Sequence, residues 1–228
     1  MSMVDEDSAA LLRLLHLASP SLPVGGFTYS QGIEWAVEAT WIRAADDLED
    51  WITDQLQETL AHFDLPLLLR MQAAILVDDM VGLTHWIDWL LAGRDSAELR
   101  REESLRGRAL ADLLVAWELP DADRARAHLA RCQVAGFAFA AARWEITPRA
   151  AAAGYAWSWL ENLVLAGVKL LPLGQTQGQQ VLVRLAQRIP AVLDTAAALP
   201  DHSIGASTPA LAIASAAHES QYTRLFRS

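Results

Sequence analysis

The chain has 228 residues and a mass of 25.0 kDa, and its 28 acidic against 18 basic side chains give a formal charge of −10. That balance argues against nucleic acid as the main partner, because phosphate recognition needs a basic face. An apolar content of 53% at this length suits one compact domain that buries roughly 70% of its unfolded surface, which excludes general disorder. The acidity is uneven. Residues 1–103 carry −13 and the remainder +3, and this split predicts two interaction faces of different charge. Seventeen of the basic residues are arginine and one, Lys169, is lysine, set in the apolar stretch 163–171.

In chain order, Asp5-Glu-Asp stands where a secretory leader would carry Lys or Arg, so secretion is not expected. The uncharged run from Leu14 to Ile33 holds two prolines and three glycines, which no bilayer helix would combine. It reads as a loop, and no membrane association is expected. Leu48, Trp51, Ile52, Leu56, Leu60 and Phe63 follow a helical period, with Asp46, Asp47, Glu49 and Asp50 in the first turn, where the macrodipole favours acids. Asp64 and Pro66 open a further helix to Val77, and Asp79 to Ala92 is another, closed by Gly93 as a C′ residue. Ser96 to Trp117 reads as a long amphipathic helix, and Arg124 to Arg143 as two pieces. Thr147-Pro148 supplies an N-cap and first-turn proline for a nearly all-apolar, central helix from Arg149 to Leu171. Gln177 to Gln187 and Ala191 to Leu199 follow as short helices, and no run alternates as a strand would. The expected fold is all-α, a single domain 1–228 of about nine or ten helices, with a mobile N-terminal segment (1–28) and C-terminal tail (201–228).

The search for catalytic sets is negative. No Gly-x-x-x-x-Gly-Lys-Ser/Thr occurs, so Lys169 is not a phosphate-loop lysine, and Gly25-Gly26 and Gly174 lack dinucleotide-binding spacing. His218-Glu219 begins like a helical zinc signature but meets Tyr222 where the second histidine belongs. No metal site and no cofactor are expected. Adjacent carboxylates such as Asp46-Asp47, Asp78-Asp79 and Glu102-Glu103 diverge by about 100° on a helix. They read as solvated acidic faces rather than acid–base dyads. The single Cys132 excludes a disulfide framework and reads as a small buried hydrophobe, in keeping with a reducing cytoplasm. Nine tryptophans beside seventeen arginines suit a protein interface. Three stretches interrupt the helices: Ser19 to Gly32, Leu171 to Gln180, and the tail ending Gln221-Tyr-Thr-Arg-Leu-Phe-Arg-Ser. Exposing Tyr222, Leu225 and Phe226 on a free end is unfavourable unless they dock, either on their own domain or on a partner.

Four ordered blocks stand out: Leu17-Ala-Ser-Pro-Ser-Leu-Pro-Val-Gly-Gly-Phe-Thr-Tyr-Ser-Gln-Gly-Ile-Glu, then Glu98-Leu-Arg-Arg-Glu with Gly107-Arg-Ala-Leu, then Val168-Lys-Leu-Leu-Pro-Leu-Gly-Gln-Thr-Gln-Gly-Gln, and the terminal His218-Glu-Ser-Gln-Tyr-Thr-Arg-Leu-Phe-Arg-Ser. Together they resemble one family, the urease accessory protein UreF. The resemblance implies an all-α, non-catalytic chaperone that bridges UreD (also called UreH) and the GTPase UreG on the urease apoprotein and regulates GTP-dependent nickel insertion. It also implies homodimers. By that analogy Tyr222, Arg224, Leu225 and Phe226 form the UreD-binding tail, and Glu34, Lys169 and Gln175 belong to a surface that influences UreG. Pro23, Gly25, Gly26, Tyr29 and Gly174 shape the loops. Two other readings stand beside it: a passive adaptor without effect on the GTPase, and a helical enzyme using Glu34, Tyr29 and Lys169 around the Gly25-Gly26 loop.

Overall fold

The computed structural model describes residues 3–228, with side chains from Ser8 onward, and no strand occurs among the described residues. The all-α single domain expected from helical periodicity is what the chain forms. Helix α1 spans Met3–Ala18 and is followed by a 3-10 turn at Gly26–Thr28 and the short α2 at Ile33–Glu38. Helix α3 (Ala45–Asp54), a π-helical segment (Gln55–Asp64) and α4 (Leu65–Leu76) then run on without a break. The remaining helices are α5 (Met80–Ala92), α6 (Ala97–Ala116), α7 (Ala122–Leu129), α8 (Gln133–Arg143), α9 (Pro148–Leu170), α10 (Gln175–Ala186), α11 (Ile189–Ala198) and α12 (Pro209–His218), with a 3-10 turn at Asp201–Ser203.

Local chemistry sets several boundaries. Asp79, Ser96 and Thr147 cap α5, α6 and α9 by accepting from Gly82, Leu99 and Ala150 backbone N–H at 2.8, 3.1 and 3.3 Å. Gln177 reaches back to the Gly174 N–H at 3.1 Å, so α10 starts at Gln175 rather than Gln177. Pro66 does not end its helix. It has no N–H to offer the carbonyl of His62, four residues earlier, and that carbonyl instead accepts from Gly205 N–H at 3.0 Å. The 199–208 connection thus supplies the donor that proline lacks, where the π-helical register passes into α4. Gly93 has φ −84, so it is not there for a left-handed turn. A Cβ on it would lie 2.3 Å from the Phe63 ring.

The interior is built on small residues. Helix α9 packs against α1, α2, α3, α4, α8, α10 and α11. The helix buried on every side is α8, where residues 133–142 are all buried and Ala and Gly dominate the apolar run. Small side chains let neighbouring backbones approach, most closely at Gly107 of α6. An added Cβ there would sit 2.7–2.9 Å from the Cys132 backbone, which cannot swing aside as a side-chain tip can. Gly107→Ala is therefore expected to destabilise the fold by about 1–3 kcal/mol, read as a lowered urea midpoint with unchanged denaturant slope; an unchanged midpoint would show that α6 and α8 can separate freely.

No tryptophan is fully buried. Trp51, Trp86, Trp89, Trp117, Trp144 and Trp159 rim the core half-buried, while Trp41 and Trp157 are exposed. Cys132 is buried, and burial pushes its thiol pKa up, away from reactivity. The charge split is partly neutralised by ion pairs, most of them at the surface: Arg106, Arg124, Arg131, Arg184 and Arg224 pair with Glu102, Asp78, Asp88, Glu49 and Glu98 of the acidic half. A sequence-level count cannot see pairing across the chain.

Candidate functional site

The docked tail and its carboxylate seat. Gln31 and Gly32 adopt left-handed conformations (φ 48 and 82), turning the chain so that α2 begins directly against α12. A Cβ on Gly32 would lie 3.0 Å from the Ala214 Cβ. This turn presents the buried Glu34 carboxylate to the tail, where it accepts from Leu225 N–H at 2.6 Å and Phe226 N–H at 2.8 Å. His218, the last residue of α12, is fully buried beside it, with Nε2 3.2 Å from Glu34 Oε2 and Nδ1 2.7 Å from Glu98 Oε2. Each ring nitrogen of His218 thus faces a carboxylate oxygen from a different helix. The other Glu98 oxygen accepts from Arg224 Nη1 at 2.7 Å. Two carboxylates on different helices thereby hold the tail through its backbone and through Arg224.

The final residues are stitched on by backbone pairing. Arg227 N–H donates to Thr28 O at 2.8 Å, and Ser30 donates to Ser228 O from its N–H at 2.7 Å and its hydroxyl at 2.6 Å. The Ser228 hydroxyl donates to Glu102 Oε2 at 3.1 Å, and Glu102 Oε1 accepts from Arg106 at 2.7 Å and Gln31 at 3.0 Å. Trp159 in turn donates to Gln31 Oε1 at 2.9 Å. Phe226 and Ser228 are buried in this seat, whereas Leu225 is 66% exposed and Tyr222 fully exposed. Lys169 Nζ lies 5.6 Å from the Phe226 ring centroid and 5.9 Å from that of Phe27, a cation–π position over both.

Behind the seat lies a second buried network. Arg94 pairs with Asp64 and, at 2.6 Å, with Glu103 Oε1, while Glu103 Oε2 accepts the Gln133 N–H that opens α8 at 3.1 Å. Burial raises the Asp64 carboxyl pKa above the ordinary carboxylate value, and the Arg94 charge opposes that rise. Burial likewise pushes the Tyr155 phenol up. Glu102 and Glu103 do diverge from α6, one toward the tail and one toward Arg94. Both are buried, however, so the expectation of a solvated acidic face is corrected at this pair: each has cationic and N–H donors waiting inside.

The structure gathers Tyr29, Glu34, Lys169, Arg224, Leu225 and Phe226 around one surface, with Tyr222 projecting beside it. Gln175 is exposed at the start of α10. Gly25 takes the left-handed conformation its loop requires (φ 73), Gly26 sits against Asn162, and Gly174 serves as the α10 N-cap. Pro23 is exposed in the preceding loop. The residues that sequence reasoning missed are Ser30, Glu98, Glu102, His218 and Ser228. One signal for two of them was available: Glu98, Glu102 and Arg106 recur every four residues on one face of a helix. No group of three or more metal-ligating side chains occurs among the described residues, and no described helix is long and apolar enough to cross a membrane. The Glu34 carboxylate is engaged by two tail N–H groups and by His218.

The family model described as UreF matches residues 42–186. The urease accessory protein UreF of Pseudomonas putida KT2440 is 53% identical over 219 residues, covering 96% of this chain and 98% of its own. That of Alcanivorax borkumensis is 49% identical over 230 residues, covering 97% and 100%, and that of Escherichia coli O157:H7 is 45% identical over 217 residues, covering 95% and 97%. On a family model spanning more than half of the chain and relatives matched along nearly all of it, the chain belongs to the UreF family.

Proposed function

We propose that this chain is a non-catalytic adaptor in urease maturation that works in the cytoplasm. It bridges UreD and the GTPase UreG on the urease apoprotein, acts as a homodimer, and regulates GTP-dependent nickel insertion. The observation that supports the reading best is the tail. It is held at its backbone by Glu34 while Tyr222 and Leu225 stand exposed. A preformed tail loses little conformational freedom when a partner covers its exposed side chains, which favours recognition. In this reading UreD covers Tyr222 and Leu225, Phe226 anchors the tail to its own domain, and Arg224 fixes its path through Glu98. Lys169, over the Phe226 ring, links the tail seat to the surface that influences UreG, and Gln175 lies farther along that surface.

Deletion of residues 221–228 is expected to abolish co-purification with UreD while leaving far-ultraviolet circular dichroism nearly unchanged, because no helix lies in that segment. Retained binding would reject the tail assignment. The same preparation carrying Lys169→Ala, assayed for GTP turnover by UreG in the full complex, separates regulator from passive adaptor: a change in turnover with intact assembly supports regulation, and identical turnover supports passivity at that residue.

A further inference from the structure

Beside the tail, α6 and the docked segment enclose an open groove of ≈ 470 Å³ lined by Tyr29, Arg101, Leu105, Phe226 and Arg227, with Glu98, Glu102 and Arg224 along it. Its charges fall into two kinds. Both oxygens of Glu98 are engaged, by Arg224 and His218, and both oxygens of Glu102 by Arg106, Gln31 and the Ser228 hydroxyl. These carboxylates are turned inward and their charge is compensated. Arg101 and Arg227 are exposed and engage no carboxylate among the described residues. The Tyr29 and Phe226 rings and Leu105 complete the lining.

We infer that this groove is a docking site for an acidic segment of the protein partner that takes the tail, with Arg101 and Arg227 each receiving a carboxylate and apolar side chains of the segment lying on Tyr29, Leu105 and Phe226. The inference rests on the adaptor reading and adds to it the chemistry of the partner. Guanidinium is the group best suited to carboxylate capture at an interface, since its planar fork bonds both oxygens and is weakly hydrated. Tyr29 and Phe226 are buried at the groove and Leu105 is half-buried, so the two cations carry most of the recognition, fixing register and speeding encounter. A partner chain bearing basic residues would meet uncompensated like charge in the groove, which excludes it.

The experiment measures binding of purified cognate UreD to the full chain and to Arg101→Glu, Arg227→Glu and the double variant. Arg188→Glu serves as a control that changes net charge equally at another exposed, unpaired arginine. Neither groove arginine holds a carboxylate in the free protein, so folding is expected to be unchanged by circular dichroism. Each single variant is expected to bind about tenfold more weakly and the double variant more weakly still, with a flattened dependence on salt, while Arg188→Glu binds as the parent. A parent chain that fails to bind UreD overturns the adaptor reading and the groove with it. A parent complex left within about twofold by the double variant, or a loss matched by Arg188→Glu, overturns the groove alone.

Discussion

Glu34→Ala is expected to release the tail and to destabilise the protein by about 3–5 kcal/mol, the cost of stranding the buried donors that the carboxylate serves. The carboxylate is buried and makes three contacts at once, with Leu225 N–H, Phe226 N–H and His218. Without it, keeping the tail docked strands two backbone donors, each costing roughly 1–3 kcal/mol. The remaining stitches, Arg227 to Thr28, Ser30 to Ser228, the Ser228 hydroxyl to Glu102 and the part-exposed ion pair of Arg224 with Glu98, have a net worth of about 1 kcal/mol each. Undocking lets water satisfy the donors, so the tail leaves and carries Phe226 off Lys169. Trypsin then cuts faster after Arg224, urea unfolding shifts to a lower midpoint, and capture of UreD weakens because the preformed tail is gone. Glu34→Gln keeps the shape and one acceptor and should fall between alanine and the parent. Proteolysis and unfolding indistinguishable from the parent in the alanine variant would show that the carboxylate is not what holds the tail.

Arg94→Met removes the cation shared by Asp64 and Glu103 and is expected to cost at least as much, about 3–5 kcal/mol at neutral pH. Both carboxylates are almost wholly buried, and Glu103 also holds the first N–H of α8, the helix at the centre of the fold. The pH dependence has a definite sign. Burial holds the Asp64 carboxyl above its unfolded value, and Arg94 works against that rise. In the variant the rise is therefore larger. A group whose folded value is raised favours the native state when protonated, below its unfolded value, and that contribution is lost as pH rises through the folded value. The stability gap between parent and variant should accordingly be widest near neutrality and narrow as pH falls toward the unfolded carboxylate value. Urea unfolding of both proteins across that range gives the test, and a gap that stays constant or widens on acidification would rule out Asp64 as the group responsible.

Helical content was legible because it rests on local physics: the apolar period of residues 48–63, the Thr147-Pro148 start and the caps at Asp79 and Ser96 each act within a few residues. Pro66 and Gly93 were read in the right places for reasons the structure replaces. One is tolerated because Gly205 takes the orphaned carbonyl, and the other is required by the Phe63 ring. The tail block was legible as a motif, yet whether its apolar groups face inward or outward was not. That depends on Glu34, nearly two hundred residues away in the chain, and on Glu98, well over one hundred away.

Composition and periodicity settled what kind of molecule this is: an acidic, all-helical domain without a recognisable catalytic set, with its specific text concentrated in four blocks. They could do so because propensity, capping and amphipathic spacing are properties of neighbours along the chain. Which charges are satisfied and which are left for a partner emerged from packing. Glu102, Glu103 and Asp64 look like surface acids until α6, α9 and the tail enclose them, and Arg101 and Arg227 look like any other arginine until every nearby carboxylate is found engaged elsewhere. Burial and pairing are set by contacts between residues distant in sequence, and a charge acquires its role from the dielectric and the partners that folding places around it.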